Sequence, residues 1–230
     1  MPAGLETGRP PRGGLPRVVE ILLSLGGLVF TSPFLLVACL AVVLDSEGSA
    51  LFRHERVGRF GLPFVLLKLR TMRAGEGPEV TAAGDSRVTR VGRFLRRLKL
   101  DELPQLWNVL KGEMSFVGPR PEVPAFVDLT SETWRRVLLV RPGITDPVAL
   151  ALKDEEALLA AVAGDRERFY RETLQPYKLR GYMDYMEKRT AWTDLAVIAR
   201  TILSVTNLVR VPSVTQAQLE SGRVPETLRP

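Results

Sequence analysis

The sequence predicts an α/β chain that is mostly helical, carries a small β-hairpin and has an apolar helix near its N-terminus. The apolar helix is indicated by the run from Ile21 to Leu44, which contains no charged residue. Two strand-like segments on either side of Gly58–Gly61 indicate the hairpin. Apolar residues at helical spacing in two later segments indicate amphipathic helices. The expected architecture is therefore a compact domain attached to a membrane-type helix.

The composition indicates a basic surface and excludes an internal disulfide and a cysteine-based metal site. The 230 residues carry a net charge of +6, with a pI near 9.8, which favours contacts with phosphates, anionic lipid or nucleic acid. The single cysteine, Cys39, excludes an internal disulfide, and the single histidine, His54, excludes a histidine metal cluster. A bound metal is therefore expected to have oxygen ligands, which suits Mg²⁺ or Mn²⁺.

The chain divides into four predicted parts. Residues 1–16 are rich in Gly and Pro and are predicted to be disordered, and residues 17–45 hold the apolar helix. Residues 46–210 form the predicted compact domain. Residues 211–230 have too little apolar content to fold by themselves and are predicted to be a flexible tail.

The apolar run is long enough to cross a bilayer, but it contains a proline. As a helix it extends about 36 Å, against a hydrocarbon core of about 30 Å. Pro33 cannot donate to the carbonyl of Val29 and is predicted to kink the helix, while Ser32 can satisfy a freed carbonyl. A buried helix of a soluble domain is the alternative.

Arginines flank the run on both sides, so the positive-inside rule draws both of its ends to the cytoplasm. They are Arg9, Arg12 and Arg17 before the run and Arg53, Arg56 and Arg59 after it. A re-entrant hairpin broken at Ser32 and Pro33 satisfies both flanks, whereas a kinked straight span satisfies only one. On physical grounds alone both topologies stay open.

The two amphipathic segments have distinct faces. Between residues 87 and 100 the apolar face comprises Val91, Phe94, Leu95 and Leu98, and the basic face Arg90, Arg93, Arg96, Arg97 and Lys99. Residues 192–205 begin at Trp192, and their apolar stripe comprises Leu195, Ile198, Ala199, Ile202 and Val205. Such helices either lie in the headgroup layer of a membrane or pack on a core with the polar face in water.

Asp101 and Glu102 are adjacent carboxylates that admit two interpretations. In the structural one, Asp101 caps a helix that has Glu102 and Pro104 in its first turn and ends at Gly112. In the chemical one, the helix start and nearby cations keep both carboxylates ionised, so that one binds a divalent cation and the other attacks an electrophile. Arg120, between two prolines, is placed to grip a phosphate or carboxylate.

The stretch from Leu66 to Thr145 closely resembles the bacterial sugar transferase family, the monotopic phosphoglycosyl transferases. The resemblance rests on "LLKLRTM", "VTRVGRFLRRLKLDELPQLWNVLKGEMSFVGPRPE" and "VRPGIT", and it extends with varying strength over residues 17 to about 205. The "TSP" at Thr31–Pro33 resembles the family's break in a re-entrant membrane helix, which favours the hairpin over the straight span.

The resemblance implies an Mg²⁺-dependent enzyme at the cytoplasmic face of the bacterial inner membrane. It implies transfer of sugar 1-phosphate from a UDP-sugar to polyprenyl phosphate with release of UMP, the first membrane step of glycoconjugate or exopolysaccharide synthesis. Asp101 would form a covalent phosphosugar, and Glu102 would bind Mg²⁺. The phosphate-binding residues would be Lys68, Arg70, Arg96 and Arg120.

The resemblance weakens after "VRPGIT". Many family members continue with Gly-Trp-Ala-Gln, whereas this chain has Asp146 to Ala149, so the donor sugar is not predicted. The glycan pathway and the oligomeric state, a homodimer included, also stay open. The competing class is a non-enzymatic scaffold on anionic lipid or a nucleic-acid binder. Neither requires adjacent carboxylates, and few aromatic side chains are present for base stacking, so no nucleic-acid partner is expected.

Overall fold

The computed structural model describes residues 13–73, 75, 82–206, 208–209, 214 and 218–219. Within these ranges the protein is mostly helical with two small sheets and one long apolar helix, which confirms the coarse fold class. Most of the segment predicted to be disordered, 1–16, lies outside the described residues, and so does most of the predicted tail, 211–230.

Helix α1 spans Arg17–Asp45 and is continuous through Pro33. Ser32 Oγ donates to the carbonyl of Val29 at 2.8 Å, which confirms the predicted partner for the carbonyl that Pro33 leaves without its helical bond. Only 11% of the most apolar window of α1 is buried inside the protein, which argues against a core helix of a soluble domain. The structure shows no break between two halves of α1, so it does not confirm the re-entrant hairpin, which stays a prediction.

The β-hairpin is present where the sequence predicts it. Strand β1 (Leu51–Val57) pairs antiparallel with β2 (Pro63–Leu69). A 3₁₀ turn at Arg59–Gly61 reverses the chain, with φ of 61° at Phe60 and 74° at Gly61. Lys68 lies next to the end of β2, so the hairpin positions this side chain.

The rest of the described chain consists of short helices, two longer ones and a second sheet. The helices are α2 (Arg90–Arg97), α3 (Gln105–Lys111), α4 (Glu132–Val137), α5 (Pro147–Ala151), α6 (Glu155–Ala161), α7 (Arg166–Phe169), α8 (Gln175–Lys188) and α9 (Ala191–Val205), with a π-helical turn at Tyr170–Leu174. The second sheet pairs β3 (Ser115–Val117) in parallel with β4 (Gly143–Thr145). The main core lies between β3, α4, α5, α8 and α9, where Val117, Tyr177 and Tyr182 are buried.

Helix α1 contacts the compact domain near both of its ends. At its start the guanidinium of Arg17 donates to the carbonyls of Val109 and Leu110 at the end of α3, at 2.6 and 3.0 Å. In its second half Ala38 and Val42 are buried against side chains of β2 and α2. The two ends of α1 therefore lie against the same domain.

The predicted apolar face of helix α2 is only partly buried. Thr89 caps the helix, accepting from the backbone N–H of Gly92 at 2.9 Å. Leu95 and Val91 pack toward α1, whereas Phe94 is 55% exposed. The side toward α1 accommodates only part of the stripe, so α2 packs on the protein and also presents an apolar ring outward.

Helix α9 presents most of its predicted apolar stripe to the outside, although Ile198 packs partly against the main core. Its buried residues are Asp194, Val197 and Ser204. By contrast, Trp192 is 80% exposed and Ile202 59% exposed. The buried side of α9 therefore holds two polar residues beside Val197, while Trp192, Leu195 and Ile202 face outward.

Candidate active site

Asp101 and Glu102 lie in a 3₁₀ turn, Leu100–Glu102, between α2 and α3. The turn follows Lys99, whose left-handed backbone (φ 54°) ends the preceding helix. The interpretation of Asp101 as a helix cap is wrong, because α3 begins at Gln105 and its first turn receives no side-chain cap. The predicted end of α3 is confirmed: Gly112 is left-handed, with φ 88°.

Glu102 binds two cations that come from different parts of the fold. Lys68 donates to Oε1 at 3.2 Å from the end of β2, and Arg120 donates to the same oxygen at 2.7 Å from the loop after β3. Burial opposes ionisation of Glu102, but the charges of Arg120 and Lys68 outweigh it and hold its pKa well below the usual range. The glutamate charge in turn raises the pKa of Arg120. The surrounding cations therefore favour the ionised form of Glu102.

Asp101 is equally buried but has a different environment. Its Oδ1 has no hydrogen-bond partner among the described residues. Burial raises the pKa of Asp101, the Lys68 charge opposes this, and the neighbouring Glu102 charge adds to it. The sequence-based expectation that both carboxylates are held ionised agrees with the pKa of Glu102, while the pKa of Asp101 moves the other way.

Lys68 is the cation shared by the two carboxylates. Burial lowers its pKa, while the charges of Glu102 and Asp101 act in the opposite direction. The structure thus brings together four of the six side chains that the sequence predicts for the site, namely Asp101, Glu102, Lys68 and Arg120.

Arg70 and Arg96 make their contacts elsewhere. Arg70 donates to the carbonyl of Ser46 at 2.6 Å and also contacts the carbonyl of Glu47, so it binds the C-terminal end of α1. Arg96 pairs with Glu156, at the start of α6, although its charge lowers the pKa of Asp101. Phosphate binding by these two arginines stays a prediction.

Asp146, where the chain departs from the family pattern, is completely buried. Its Oδ1 caps α5, accepting from the backbone N–H of Ala149 at 2.7 Å, and its Oδ2 has no partner among the described residues. Burial raises the pKa of Asp146 to about 6, opposed by the Ala149 hydrogen bond and the charges of Arg120 and Lys178. The Asp-Pro sequence was a signal for a helix start, but it gave no indication of this burial.

A buried polar cluster that sequence reasoning missed lies behind Arg120. Lys178 donates to Glu155 at 2.8 Å and to the hydroxyl of Tyr170 at 3.3 Å. Tyr170 in turn donates to Glu122. The charges of Glu155 and Glu122 overcome the burial of Lys178 and raise its pKa. The cluster connects the segment after Arg120 with α6 and α8, so it supports the loop that carries this arginine.

The turn places one carboxylate that could act as a nucleophile, Asp101, beside a second, Glu102, whose charge is neutralised by cations. A buried carboxylate without hydrogen bonds is poorly solvated, and poor solvation makes an anion more reactive toward an electrophile. Lys68 and Arg120 provide charge for an anionic group that approaches it. Such an arrangement suits phosphoryl transfer, which depends on alignment and charge neutralisation.

A long apolar helix against a small α/β domain, with paired carboxylates among cations, suits a membrane-associated transferase of phosphate groups. The chain matches the bacterial sugar transferase family over residues 12–208. It belongs to that family.

The names of three curated relatives refer to sugar-phosphate transfer or exopolysaccharide production. The UDP-glucose:undecaprenyl-phosphate glucose-1-phosphate transferase of Caulobacter vibrioides is 41% identical over 209 residues, which cover 85% of this chain and 74% of the relative. The protein of that name from Escherichia coli is 36% identical, over 82% of this chain and 39% of its own length. The exopolysaccharide production protein ExoY of Rhizobium meliloti is 32% identical, over 87% of this chain and 90% of its own.

Proposed function

We propose that this protein transfers sugar 1-phosphate from a UDP-sugar to undecaprenyl phosphate or a similar polyprenyl phosphate, releasing UMP. The observation that carries the proposal is Asp101, a buried carboxylate with an unpartnered oxygen, next to Glu102 with its Lys68 and Arg120. The names of the relatives supply the donor and acceptor classes. Such a reaction is a first membrane step of exopolysaccharide or other glycan synthesis.

Asp101 takes part in both half-reactions, as the nucleophile in the first and as the leaving group in the second. One carboxylate oxygen attacks the sugar-proximal phosphorus, the bond from that phosphorus to the bridging oxygen breaks, and UMP leaves with the electron pair. An oxygen of polyprenyl phosphate then attacks the same phosphorus, and the bond to Asp101 breaks. This restores the carboxylate and releases the polyprenyl diphosphate sugar.

Cations around the turn would neutralise the negative charge that accumulates during both attacks. Arg120 and Lys68 are held against Glu102 before the substrate arrives, so they need little reorganisation. Arg96 would add its charge near Asp101 once its exposed partner, Glu156, gives way to the donor.

Mg²⁺ dependence is part of the proposal. Within the described residues no three His, Cys, Asp or Glu side chains form a group that could hold a metal. Two adjacent carboxylates, one with an unpartnered oxygen, still fit Mg²⁺, which proteins commonly hold with one or two carboxylates and substrate phosphates. Glu102 would bind the ion, which would withdraw charge from the diphosphate.

The protein would lie on the cytoplasmic face of the bacterial inner membrane, with α1 re-entering that face. The contacts at both ends of α1 with one domain support this placement. Leu15 donates from its backbone to Asp194 at 2.9 Å, which brings the exposed stripe of α9 next to the start of α1. The exposed aromatic side chains of α2, α3 and α9, which are Phe94, Trp107 and Trp192, would then enter the same bilayer surface.

The test is a panel of UDP-sugars with undecaprenyl phosphate in detergent or nanodiscs, read out as UMP. We expect release with one or a few sugars that requires the lipid phosphate and is lost with EDTA. Arg180→Ala, at an exposed position of α8, is the matched control and should retain the parent rate. A scaffold on anionic lipid would release no UMP with any donor.

A further inference from the structure

Helix α3 carries two buried amide side chains, and only one of them has hydrogen-bond partners for both its oxygen and its nitrogen. Asn108 accepts from the backbone of Leu67 at 3.1 Å and donates to the carbonyl of Val65 and to Glu113, both at 2.7 Å. It fastens α3 to β2. Gln105 is 2% exposed, yet its Nε2 has no hydrogen-bond partner among the described residues.

A buried donor without a partner destabilises the folded protein, so its presence calls for an explanation. Gln105 is the first residue of α3 and follows Asp101 by four residues. Leu103 and Pro104, between them, have helical dihedrals. The turn is 3₁₀ as far as Glu102, with a rise of about 2.0 Å per residue, so Gln105 lies at most about 8 Å farther along the helix axis than the nucleophile. Gln105 and the nucleophile therefore belong to the same short stretch of helix.

The two side chains are complementary but do not satisfy each other. Asp101 Oδ1 is a buried acceptor without a partner, and Gln105 Nε2 is a buried donor without one. A group that satisfies both must accept a hydrogen bond from the amide and present an electrophilic centre to the carboxylate. A phosphoryl group does this, because its non-bridging oxygens accept hydrogen bonds while its phosphorus is attacked.

We infer that Gln105 is a further catalytic residue, which donates from Nε2 to a non-bridging oxygen of the phosphoryl group transferred to and from Asp101. The inference rests on the proposed function and adds a neutral donor to the charges of Lys68 and Arg120. No atom is transferred to or from the amide. Its hydrogen bond strengthens as the phosphorus–oxygen bond to UMP breaks and again as the bond to Asp101 breaks.

The test compares Gln105→Met with the parent, and Asn108→Leu serves as the matched control on the same helix. Gln105→Met removes the donor and leaves no protein group unpaired, so we expect an unchanged or higher Tm. The kcat for UMP release should fall roughly 100-fold with little change in KM for the UDP-sugar, as for loss of one transition-state donor. Asn108→Leu should lower Tm, because it strands the groups of Val65 and Leu67.

Gln105→Leu is the second variant, because it also removes the donor but fills the site with a branched apolar side chain. It should show the same loss of kcat as Gln105→Met. If the parent releases UMP and both variants retain its kcat, or if both lose Tm as Asn108→Leu does, the assignment of Gln105 is wrong and the proposed function stands. A parent protein that releases no UMP in the full donor panel would overturn both.

Discussion

At the residue scale, the two adjacent carboxylates differ in the groups that surround them. Glu102 receives two cations on one oxygen, and Asp101 receives none by direct contact. The two environments move the pKa values in opposite directions, down for Glu102 and up for Asp101. In the proposed mechanism this difference divides the roles, with Glu102 as the charged anchor and Asp101 as the nucleophile.

Asp101→Asn should separate catalysis from stability. Because the unpartnered Oδ1 has no hydrogen bond to lose and burial disfavours the charge, Tm should equal or slightly exceed that of the parent. Turnover should fall by several orders of magnitude, since an amide cannot form the phosphosugar intermediate. With UDP-sugar labelled in the sugar and no lipid acceptor, the parent should retain label on the protein and the variant none. Near-parent turnover in a folded variant would remove Asp101 from the mechanism.

Glu102→Gln provides the contrast within the same turn. It should reduce turnover and also lower stability, by about 1–3 kcal/mol, because Lys68 and Arg120 lose the charge that they share but keep some contact with water. Differential scanning fluorimetry alongside the UMP assay distinguishes the two patterns.

Asp146→Asn should change how stability depends on pH. The folded pKa of about 6 lies above the ordinary 3.8, so the folded protein holds the proton more tightly and loses stability as pH rises between these values. The full loss corresponds to about 3 kcal/mol. Asn caps a helix about as well as Asp, so the Tm difference, variant minus parent, should be more positive at pH 8 than at pH 4.

Asp165→Asn, at the cap of α7 on the exposed surface, controls for loss of a capping carboxylate. A Tm difference for Asp146→Asn that stays constant across this pH range would contradict the burial argument.

The sequence predicted four of the side chains that meet at the site, but not the contacts that each of them makes. Asp101, Glu102, Lys68 and Arg120 meet as the resemblance implied. The orphaned donor of Gln105 could not be predicted, because it depends on which side chains fail to reach it. A residue type shows what a side chain can bind, whereas its contacts depend on the packing of distant segments.

At the scale of elements, close backbone contacts position the catalytic turn. α2 leads directly into the turn, and it approaches the end of the hairpin so closely that Thr89 donates from its backbone to the carbonyl of Thr71 at 3.1 Å. Gly92 permits this approach, since a Cβ there would lie 2.0 Å from the same carbonyl oxygen. The hairpin and α2 were predictable from periodicity. The pairing of β3 with β4 was not, because strands of three residues show no clear alternation.

Gly92→Ala should therefore displace α2 from the hairpin. The added methyl meets backbone rather than a flexible side chain, so we expect a loss of about 2 kcal/mol or more in stability and reduced turnover. Gly26→Ala in α1 is the matched control, because nothing lies within 4 Å of its Cβ and alanine favours a helix. Thermal unfolding of both variants is the measurement, and an equal Tm for the two would show that α2 tolerates the shift.

At the scale of the whole molecule, the apolar surfaces and the α1 contacts favour one orientation. Arg17 donates to the end of α3, and Arg70 donates to the carbonyl of Ser46 directly after α1, so the domain contacts α1 at both ends. The outward-facing residues of α1 are apolar, and Trp192 and Phe94 lie on helices that adjoin its two ends. A helix held along one domain in this way cannot carry its ends to opposite sides of a bilayer without breaking these contacts.

Both ends of α1 should therefore be reachable only from the cytoplasm. Cys39 is first replaced by Ala, and single cysteines are placed at the exposed positions Pro16 and Ser49, before and after the helix. In intact spheroplasts a membrane-impermeant maleimide should label neither variant, and in inverted vesicles it should label both. The cysteine-free parent should stay unlabelled throughout. Labelling of the Pro16→Cys variant from outside would mean that α1 spans the membrane, with its N-terminal contacts to α3 and Asp194 broken in the bilayer. Labelling of the Ser49→Cys variant from outside would place the hairpin and the carboxylates away from cytoplasmic UDP-sugar, and the proposed function would fail with the topology.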